Sequence, residues 1–551
     1  MGLARAHSIA LVGVQGHPVE IEADIENGMV ALLLVGLPDT ALREARDRIR
    51  SAIVNSGETW PNRRITVGLS PASLPKRGSG FDLGMAVAIL AAAEAMPAAR
   101  LRGLVLIGEL GLDGRIRPVP GVLPAAAAAA AAGFEAVAVA TENAAEAALV
   151  PELRVIATPS LRAMTAWLRN AEPSADAAVQ VLEPGRDATM LFQLTDRDQP
   201  GHPEAGSGTG SGGTGSGTGS GGTGSGTGLG GSAKDLADLV GQPMARRGAE
   251  ICAAGGHHLM LLGPPGVGKT MLAERIPTVL PRLEPAAALE VSAIHSVAGT
   301  LPPGQPLVTE PPFCAPHHTA TRAAIVGGGS GIIRPGAASL AHHGCLFLDE
   351  APEFGRDVLD GLRQPLESGE VVVARSGVTA RFPARFTLIL AANPCPCASA
   401  RAAGAACSCT PLARRRYLAR LSGPLLDRVD AKIEFMPVRR AELLSDRAYT
   451  EASCVVAERV RRARERAAAR LAGTPWRLNA QIPGSELRRR FAPAPDALAP
   501  LERAMDLGRI SARGADRVIR LSWTLADLAG SGRPGVPEIG YALGLWLGTA
   551  Q

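Results

Sequence analysis

Lysine is scarce in this 551-residue chain. It occurs only at Lys76, Lys234, Lys269 and Lys432, and arginine supplies every other basic side chain. One of the four ends the run Gly263-Pro264-Pro265-Gly266-Val267-Gly268-Lys269-Thr270, which has the spacing of a phosphate-binding loop. Glycines at 263, 266 and 268 let the backbone turn tightly, so that its N–H groups face phosphate oxygens. A helix starting at Lys269 would add its positive end. Lys269 would reach the β- and γ-phosphates of ATP, and Thr270 would ligate Mg²⁺. Where arginine is the default cation, lysine at this point reads as a chemical requirement.

A second group of residues completes that chemistry. Cys345-Leu346-Phe347-Leu348 is an apolar run that ends in Asp349 and Glu350. Asp349 would hold Mg²⁺ through water, and Glu350 would polarise the attacking water. Residues 386–392 form another apolar run, ending at Asn393, which can contact the γ-phosphate or its water. Arg428 follows a short apolar helix and is a candidate arginine finger; a surface ion pair with Asp427 or Asp430 is the alternative. Arg513, near the start of a late helix, could reach phosphates from a lid. Directly after Asn393 come Cys395, Cys397, Cys407 and Cys409. Four thiolates in one short loop match the ligand count of a tetrahedral zinc site, although CxC is tighter than the usual CxxC. The doublets His257-His258, His317-His318 and His342-His343 read as structural or substrate-facing.

Such residues need a scaffold to bring them together. The apolar run 259–262 before the phosphate loop reads as a buried parallel strand, and the residues after the loop read as a helix. Residues 1–170 alternate short strands with helices, an α/β pattern. Strands are expected at 10–13, 19–23, 29–35, 64–69, 104–109 and 136–140, with helices at 40–55 and 83–95. Residues 171–232 read as a linker. From Gly206 onward it is almost purely Gly, Ser and Thr, which cannot bury enough apolar area to fold. The flanking parts are then expected to hold no fixed orientation unless they touch directly. Residues 233–440 carry the nucleotide motifs, with a helix at 243–254, a long Pro-rich loop at 289–313 and one helix at 354–366. A β-hairpin is expected at 370–382, turning at Ser376-Gly377 and carrying Arg375 and Arg381. Residues 441–551 read as helical, with a strongly basic face over 439–471.

Composition narrows the function classes. The net charge of +5 is mild for this length and does not by itself demand nucleic acid. Aromatics are 3% of residues, which argues against base stacking as the main grip on a strand. Residues 1–15 lack a basic region followed by a long apolar run. The longest apolar stretch, 122–140, is alanine-rich and broken by Pro124, Gly133 and Glu135, so it reads as helix then strand and not as a membrane span. A cytoplasmic setting is expected, and clustered cysteines there suggest metal more than disulfides.

Two resemblances follow. Pro75-Lys76-Arg77-Gly78, with the helix after it and Gly108-Glu109-Leu110, resembles the proteolytic domain of the Lon family. Gly80 stands at that family's serine and Leu123 near its lysine, so the resemblance implies a Lon-like α/β domain without peptidase activity. Ser79 is one position off. Further on, Gly263 to Thr270, Cys314-Ala-Pro-His317-His318-Thr319, Gly327-Gly-Gly329, Leu346-Phe-Leu-Asp-Glu350, Leu362-Arg-Gln-Pro-Leu-Glu367, Asn393-Pro-Cys-Pro-Cys397 and Ser422-Gly-Pro-Leu-Leu-Asp-Arg428 resemble the YifB/ComM family of magnesium-chelatase-like AAA+ ATPases. The resemblance covers nearly the whole chain and departs at Ala398 and in the Gly-Ser-Thr linker. It implies a Lon-like N-terminal domain, a P-loop AAA+ αβα core and a C-terminal helical lid, assembled as a homo-oligomer, a hexamer in the ComM type. It also implies an ATP- and Mg²⁺-dependent motor that moves on single-stranded or branched DNA during recombination and transformation. Arginines on the hairpin would grip phosphates in the pore without reading sequence. A regulatory remodeller and a chelatase-type ATPase subunit are the alternatives. No membrane partner is expected.

Overall fold

Alternating burial builds the first sheet. In the strand Gln15–Glu26, Val19, Ile21, Ala23 and Ile25 are buried while their neighbours face outward, the two-residue period of a half-covered strand. It pairs antiparallel with Gly2–Val12 along the full length of that strand, from Gly2↔Ile25 to Val12↔Gln15. The computed structural model describes residues 2–36, 39–76, 78–170, 179–184, 234–302, 304–329, 333–375, 378–397, 409–438 and 450–549. Eight strands form the N-terminal sheet, in the order Gln180–Leu182, Arg154–Thr158, Ala136–Ala140, Leu104–Leu106, Gly2–Val12, Gln15–Glu26, Arg64–Ser70, Ala31–Val35. The helix Asp82–Ala92 is buried at every position, as a helix apolar all round must be.

The second sheet is wholly parallel. Its order is Phe313–Cys314, Cys345–Leu348, Thr387–Ala392, Leu259–Leu262, Ala431–Glu434. The three central strands read CLFL, TLILAA and LMLL, the unbroken apolar runs of strands covered on both faces. One core joins this sheet to the helices Pro243–Gly255, Ser453–Arg470, Ala512–Ala529 and Val536–Leu547. Among the described residues no helix is long and apolar enough to cross a membrane.

Several expectations are corrected. The stretch 289–313 is not one loop, because the helix Pro285–Ala298 occupies its first part. Proline at that helix's first position and Gly299 at φ +71° mark its two ends. The expected helix at 354–366 is two, Arg356–Gly361 and Arg363–Ser368. Pro365 has no N–H to give the Gly361 carbonyl, so one continuous helix cannot form there. The first strand reaches back to Gly2. The strand expected at 104–109 ends at Leu106, and Glu109–Leu110 pairs separately with Ile116–Arg117. Within the expected linker, Gln180–Leu182 adds a strand beside Arg154–Thr158; the Gly-Ser-Thr stretch lies outside the described residues.

The N-terminal part also packs directly on the part that carries the phosphate loop. Ala288 and Leu307 are buried in the same cluster as Val122, Val137 and Val155. Across this seam Gly121 N–H donates to Ser296 O at 3.1 Å. The Ser296 hydroxyl donates to the buried Glu146 carboxylate, which also accepts from Leu123 N–H at 2.8 Å and Asn143 Nδ2 at 3.2 Å. The two parts therefore meet in direct contact through packed and hydrogen-bonded residues.

The basic helix is largely internally paired. Arg459 pairs with Glu250 and Glu451, Arg461 and Arg462 pair with Glu458, and Arg470 pairs with Asp527. Arg464 donates to the Ala253 carbonyl. Charge that reads in the sequence as an open cationic face is mostly spent on holding this helix to its neighbours. Residues 439–449 lie outside the described residues.

Candidate nucleotide site

Three adjacent strands point the same way, so their C-terminal ends share one edge of the sheet. Leu259–Leu262 runs into the phosphate loop, Cys345–Leu348 into Asp349 and Glu350, and Thr387–Ala392 into Asn393. The registers Leu262↔Ala392 and Leu348↔Leu390 set the three ends side by side. Parallel pairing thus joins Lys269 to Asn393, 124 positions further along the chain.

At that edge Lys269 is buried, 7% exposed. Its ammonium donates to Gly263 O at 2.7 Å, Pro264 O at 2.9 Å and Asn393 Oδ1 at 3.0 Å. Burial lowers its pKa, against the opposing pull of Asp349 and Glu350. Gly268, at φ +102°, caps the helix Lys269–Ala273, a backbone conformation that favours glycine. A Cβ on Gly263 would come within 2.6 Å of Phe435 Cβ and 2.9 Å of its carbonyl, so the loop's first position has no room for a side chain.

The Thr270 hydroxyl donates to Asp349 Oδ2 at 2.7 Å. Two hard oxygen donors in contact suit Mg²⁺, which prefers oxygen ligands and retains water. Bound there, the ion would neutralise phosphate charge. Asp349 Oδ1 accepts from Glu350 N–H at 2.9 Å. Glu350 holds φ +49°, a strained left-handed conformation for a residue with a side chain. Its Oε2 lies 3.4 Å from His318 Nδ1, and the His317 and His318 rings stand 4.1 Å apart. Nothing in the sequence assigns this doublet to the nucleotide site. His318 follows the strand Phe313–Cys314, which pairs beside Cys345–Leu348, and only that pairing brings it to Glu350.

Arg428 and Arg513 are not gathered here. Arg428 precedes the strand Ala431–Glu434, whose first residue aligns with Leu259, the start of the phosphate-loop strand. It therefore sits at the opposite end of the sheet, roughly 13 Å of strand from the loop. Its guanidinium pairs with Glu367 and donates to Pro424 O. Burial lowers the Arg428 pKa, and the nearby cations Arg363, Arg517 and Arg513 add to this. Arg513 thus lies in the neighbourhood of Arg428.

Cys395 and Cys397 Sγ are 3.1 Å apart, and Cys409 Sγ lies within 4.8 Å of both. Cys407 lies outside the described residues. The hairpin forms as Glu370–Arg375 paired with Val378–Pro383, and Arg381 Nη1 contacts Glu370 at 2.7 Å; its turn is outside the described residues. A Cβ on Gly13 would come within 2.6 Å of the Arg381 carbonyl, so the N-terminal part packs against the hairpin. Ser79 donates to Glu109, and Lys76 donates to the carbonyls of Pro71 and Leu74. Leu123 is buried and donates its N–H to Glu146.

Comparison with known proteins agrees with this arrangement. Family models match residues 235–443 (magnesium chelatase, subunit ChlI), 21–143 (subunit ChlI of Mg-chelatase) and 450–545 (magnesium chelatase, subunit ChlI C-terminal). Competence protein ComM of Haemophilus influenzae is 37% identical over 99% of this chain and 97% of its own length. The chain belongs to the YifB/ComM family. The uncharacterized protein YifB of Escherichia coli is 38% identical over 96% of this chain and 94% of its own length. An uncharacterized protein of Mycobacterium tuberculosis is 48% identical, covering 98% of both chains. Membership in this magnesium-chelatase-like family supports an AAA+ ATPase that uses ATP and Mg²⁺. The parallel sheet with its phosphate loop is consistent with such a core.

Proposed function

We propose that this protein is an ATP-driven DNA translocase of ComM type, working as a homo-oligomeric ring, most simply a hexamer. The observation that carries the reading is the placement of Arg428. Lys269, Thr270, Asp349, Glu350 and Asn393 gather at one edge of the sheet, while Arg428 stands at the other end. Arg428 cannot serve its own subunit's nucleotide, but in a ring it can face a neighbour's. A finger supplied in this way stabilises charge on the transferred phosphoryl group. Arg513 lies with Arg428, so it too would act on the neighbour and not as a lid over its own phosphate loop.

Within one subunit, Lys269 and the loop N–H groups hold the phosphates, Thr270 and Asp349 hold Mg²⁺, and Glu350 takes a proton from the attacking water. Arg375 and Arg381 on the hairpin would grip DNA phosphates, and the packing of the N-terminal part against that hairpin would make it a brace for the motor. We read this part as a Lon-like domain without peptidase activity; what supports the reading is that Gly80 and Leu123 stand where that family has its serine and lysine, while Ser79 pairs with Glu109 and Lys76 with two carbonyls. We divide the chain into residues 1–170, to whose sheet the strand Gln180–Leu182 is added, a linker over the rest of 171–232, the ATPase core 233–440 and the helical lid 441–551. Cys395, Cys397 and Cys409, with Cys407, would hold a structural zinc; what supports the reading is that three of the sulfurs lie within 4.8 Å of one another and that thiolates are ligands zinc takes.

The test is ATP hydrolysis with and without single-stranded and branched DNA. Stimulation by DNA is expected, and Arg375→Ala/Arg381→Ala should weaken DNA binding for all sequences alike and flatten its salt dependence. Hydrolysis indifferent to DNA would refute the translocase and favour the remodeller, in which the N-terminal part serves as an adaptor.

A further inference from the structure

An arginine that must reach a fixed point on another subunit needs its backbone held. Arg428 lies on the turn between the short helix Gly423–Leu426 and the strand Ala431–Glu434. The turn is clasped from two sides. On one side Asp430, 1% exposed, accepts from His258 N–H at 2.9 Å through Oδ2, and its own N–H donates to His258 O at 3.0 Å. On the other side stands Arg517, from the helix Ala512–Ala529. Its Nη1 donates to the Arg428 carbonyl at 2.8 Å and also to Asp430 Oδ1. One guanidinium therefore bridges the backbone of the finger and a buried carboxylate two residues on. Burial alone would raise the Asp430 pKa; Arg517 and the His257 side chain instead hold it well below the usual carboxylate range, so the clasp is ionic at neutral pH.

We infer that Arg517 is a positioning residue for Arg428: by bridging the Arg428 carbonyl and the Asp430 carboxylate, it fixes the direction in which the finger leaves the subunit. The inference rests on the reading of Arg428 as a finger acting on a neighbour. The C-terminal helices thereby set the rate at a site to which Arg517 itself contributes no contact. Lysine ends in an ammonium on a differently shaped stem, and so does not set a nitrogen at the Nη1 position between the two acceptors.

Arg517→Lys keeps a cation beside Asp430 and is the variant least prone to unfold; Arg517→Met/Asp430→Asn removes both buried charges together. In each, nucleotide affinity should stay at the wild-type value while kcat falls by about 10- to 100-fold, the loss that accompanies a small displacement of a catalytic group. Mixed with Lys269→Ala subunits, which keep a sound finger, the Arg517 variants should regain activity, because their own phosphate loops are intact. Adding Arg428→Ala to Arg517→Lys should give the same kcat as Arg428→Ala alone. Wild-type kcat in both Arg517 variants would overturn the inference. So would losses that multiply in the Arg428→Ala/Arg517→Lys double variant, or a lowered nucleotide affinity that mixing does not rescue. Wild-type kcat in Arg428→Ala by itself would instead overturn the finger reading on which the inference rests.

Discussion

Replacing Asn393 by alanine separates two roles that its position allows. The Lys269 ammonium has three N–H bonds to give, and it gives them to Gly263 O, Pro264 O and Asn393 Oδ1 at 2.7, 2.9 and 3.0 Å. A phosphate oxygen that engages Lys269 displaces at least one of these acceptors. The two carbonyls belong to the loop itself; the Asn393 amide comes from a neighbouring strand and is the separable competitor. A hydrogen bond to a charged group contributes about 1.5–3 kcal/mol, part of which the phosphate must replace. Asn393→Ala should therefore leave ADP affinity unchanged or tighten it by up to about tenfold, equivalent to about 1.4 kcal/mol. If Asn393 also orients the γ-phosphate or its water, kcat should fall by about 100-fold, the scale for losing one such donor. ATP affinity should move little, since the gain at Lys269 offsets the weaker hold on the γ-phosphate. Titration with fluorescent ADP and ATP analogues, alongside steady-state phosphate release, reads all three quantities. An ADP affinity weakened tenfold would show that Asn393 supports the lysine instead of competing for it. An unchanged kcat would remove its role at the γ-phosphate.

Lys269→Ala should lose nucleotide affinity, whereas Glu350→Gln should keep it and lose hydrolysis; equal affinity losses in calorimetric titrations would refute these roles. Glu146→Leu strips the acceptor from Leu123 N–H and Asn143 Nδ2 on its own side and from the Ser296 hydroxyl across the seam, and should weaken the seam by about 1–3 kcal/mol, the cost of the one crossing bond. Hydrogen exchange of the helix Pro285–Ala298 measures this, and wild-type protection there would contradict it. Burial lowers the His258 pKa to about 4, and its Nδ1 accepts the Leu388 N–H at 3.0 Å, which requires the neutral ring. The unfolded chain binds this proton first as pH falls. The stability from this group is therefore complete above about pH 6.5 and is lost towards pH 4, up to about 3 kcal/mol. Urea midpoints across that range should fall more steeply in the wild type than in His258→Asn, and identical slopes would exclude His258 as the cause. Elemental analysis should find zinc that is lost in Cys397→Ser/Cys409→Ser; a metal content equal in both proteins would end the zinc assignment.

The residues of the proposed nucleotide site stand out in the sequence because each rests on a local rule. A phosphate loop needs glycines at fixed spacing followed by a lysine, and a buried parallel strand needs an unbroken apolar run that ends where polar chemistry begins. Both are properties of a few consecutive residues, so Lys269, Asp349 and Asn393 stand out without coordinates. What the sequence leaves open is which ends meet. His318 carries no local mark that ties it to Glu350; the pairing of Phe313–Cys314 with Cys345–Leu348 brings the two together. The arginines of Ser453–Arg470 suggest an open basic face because their partners Glu250 and Asp527 lie far away in the chain. The same holds for the seam at Glu146 and Ser296: a Gly-Ser-Thr stretch suggests independent parts, yet they meet in direct contact between residues 150 positions apart. Strand register alone puts Arg428 at the far end of the sheet from Lys269. Local composition selects the groups that can do the chemistry, whereas long-range pairing decides which of them share a site.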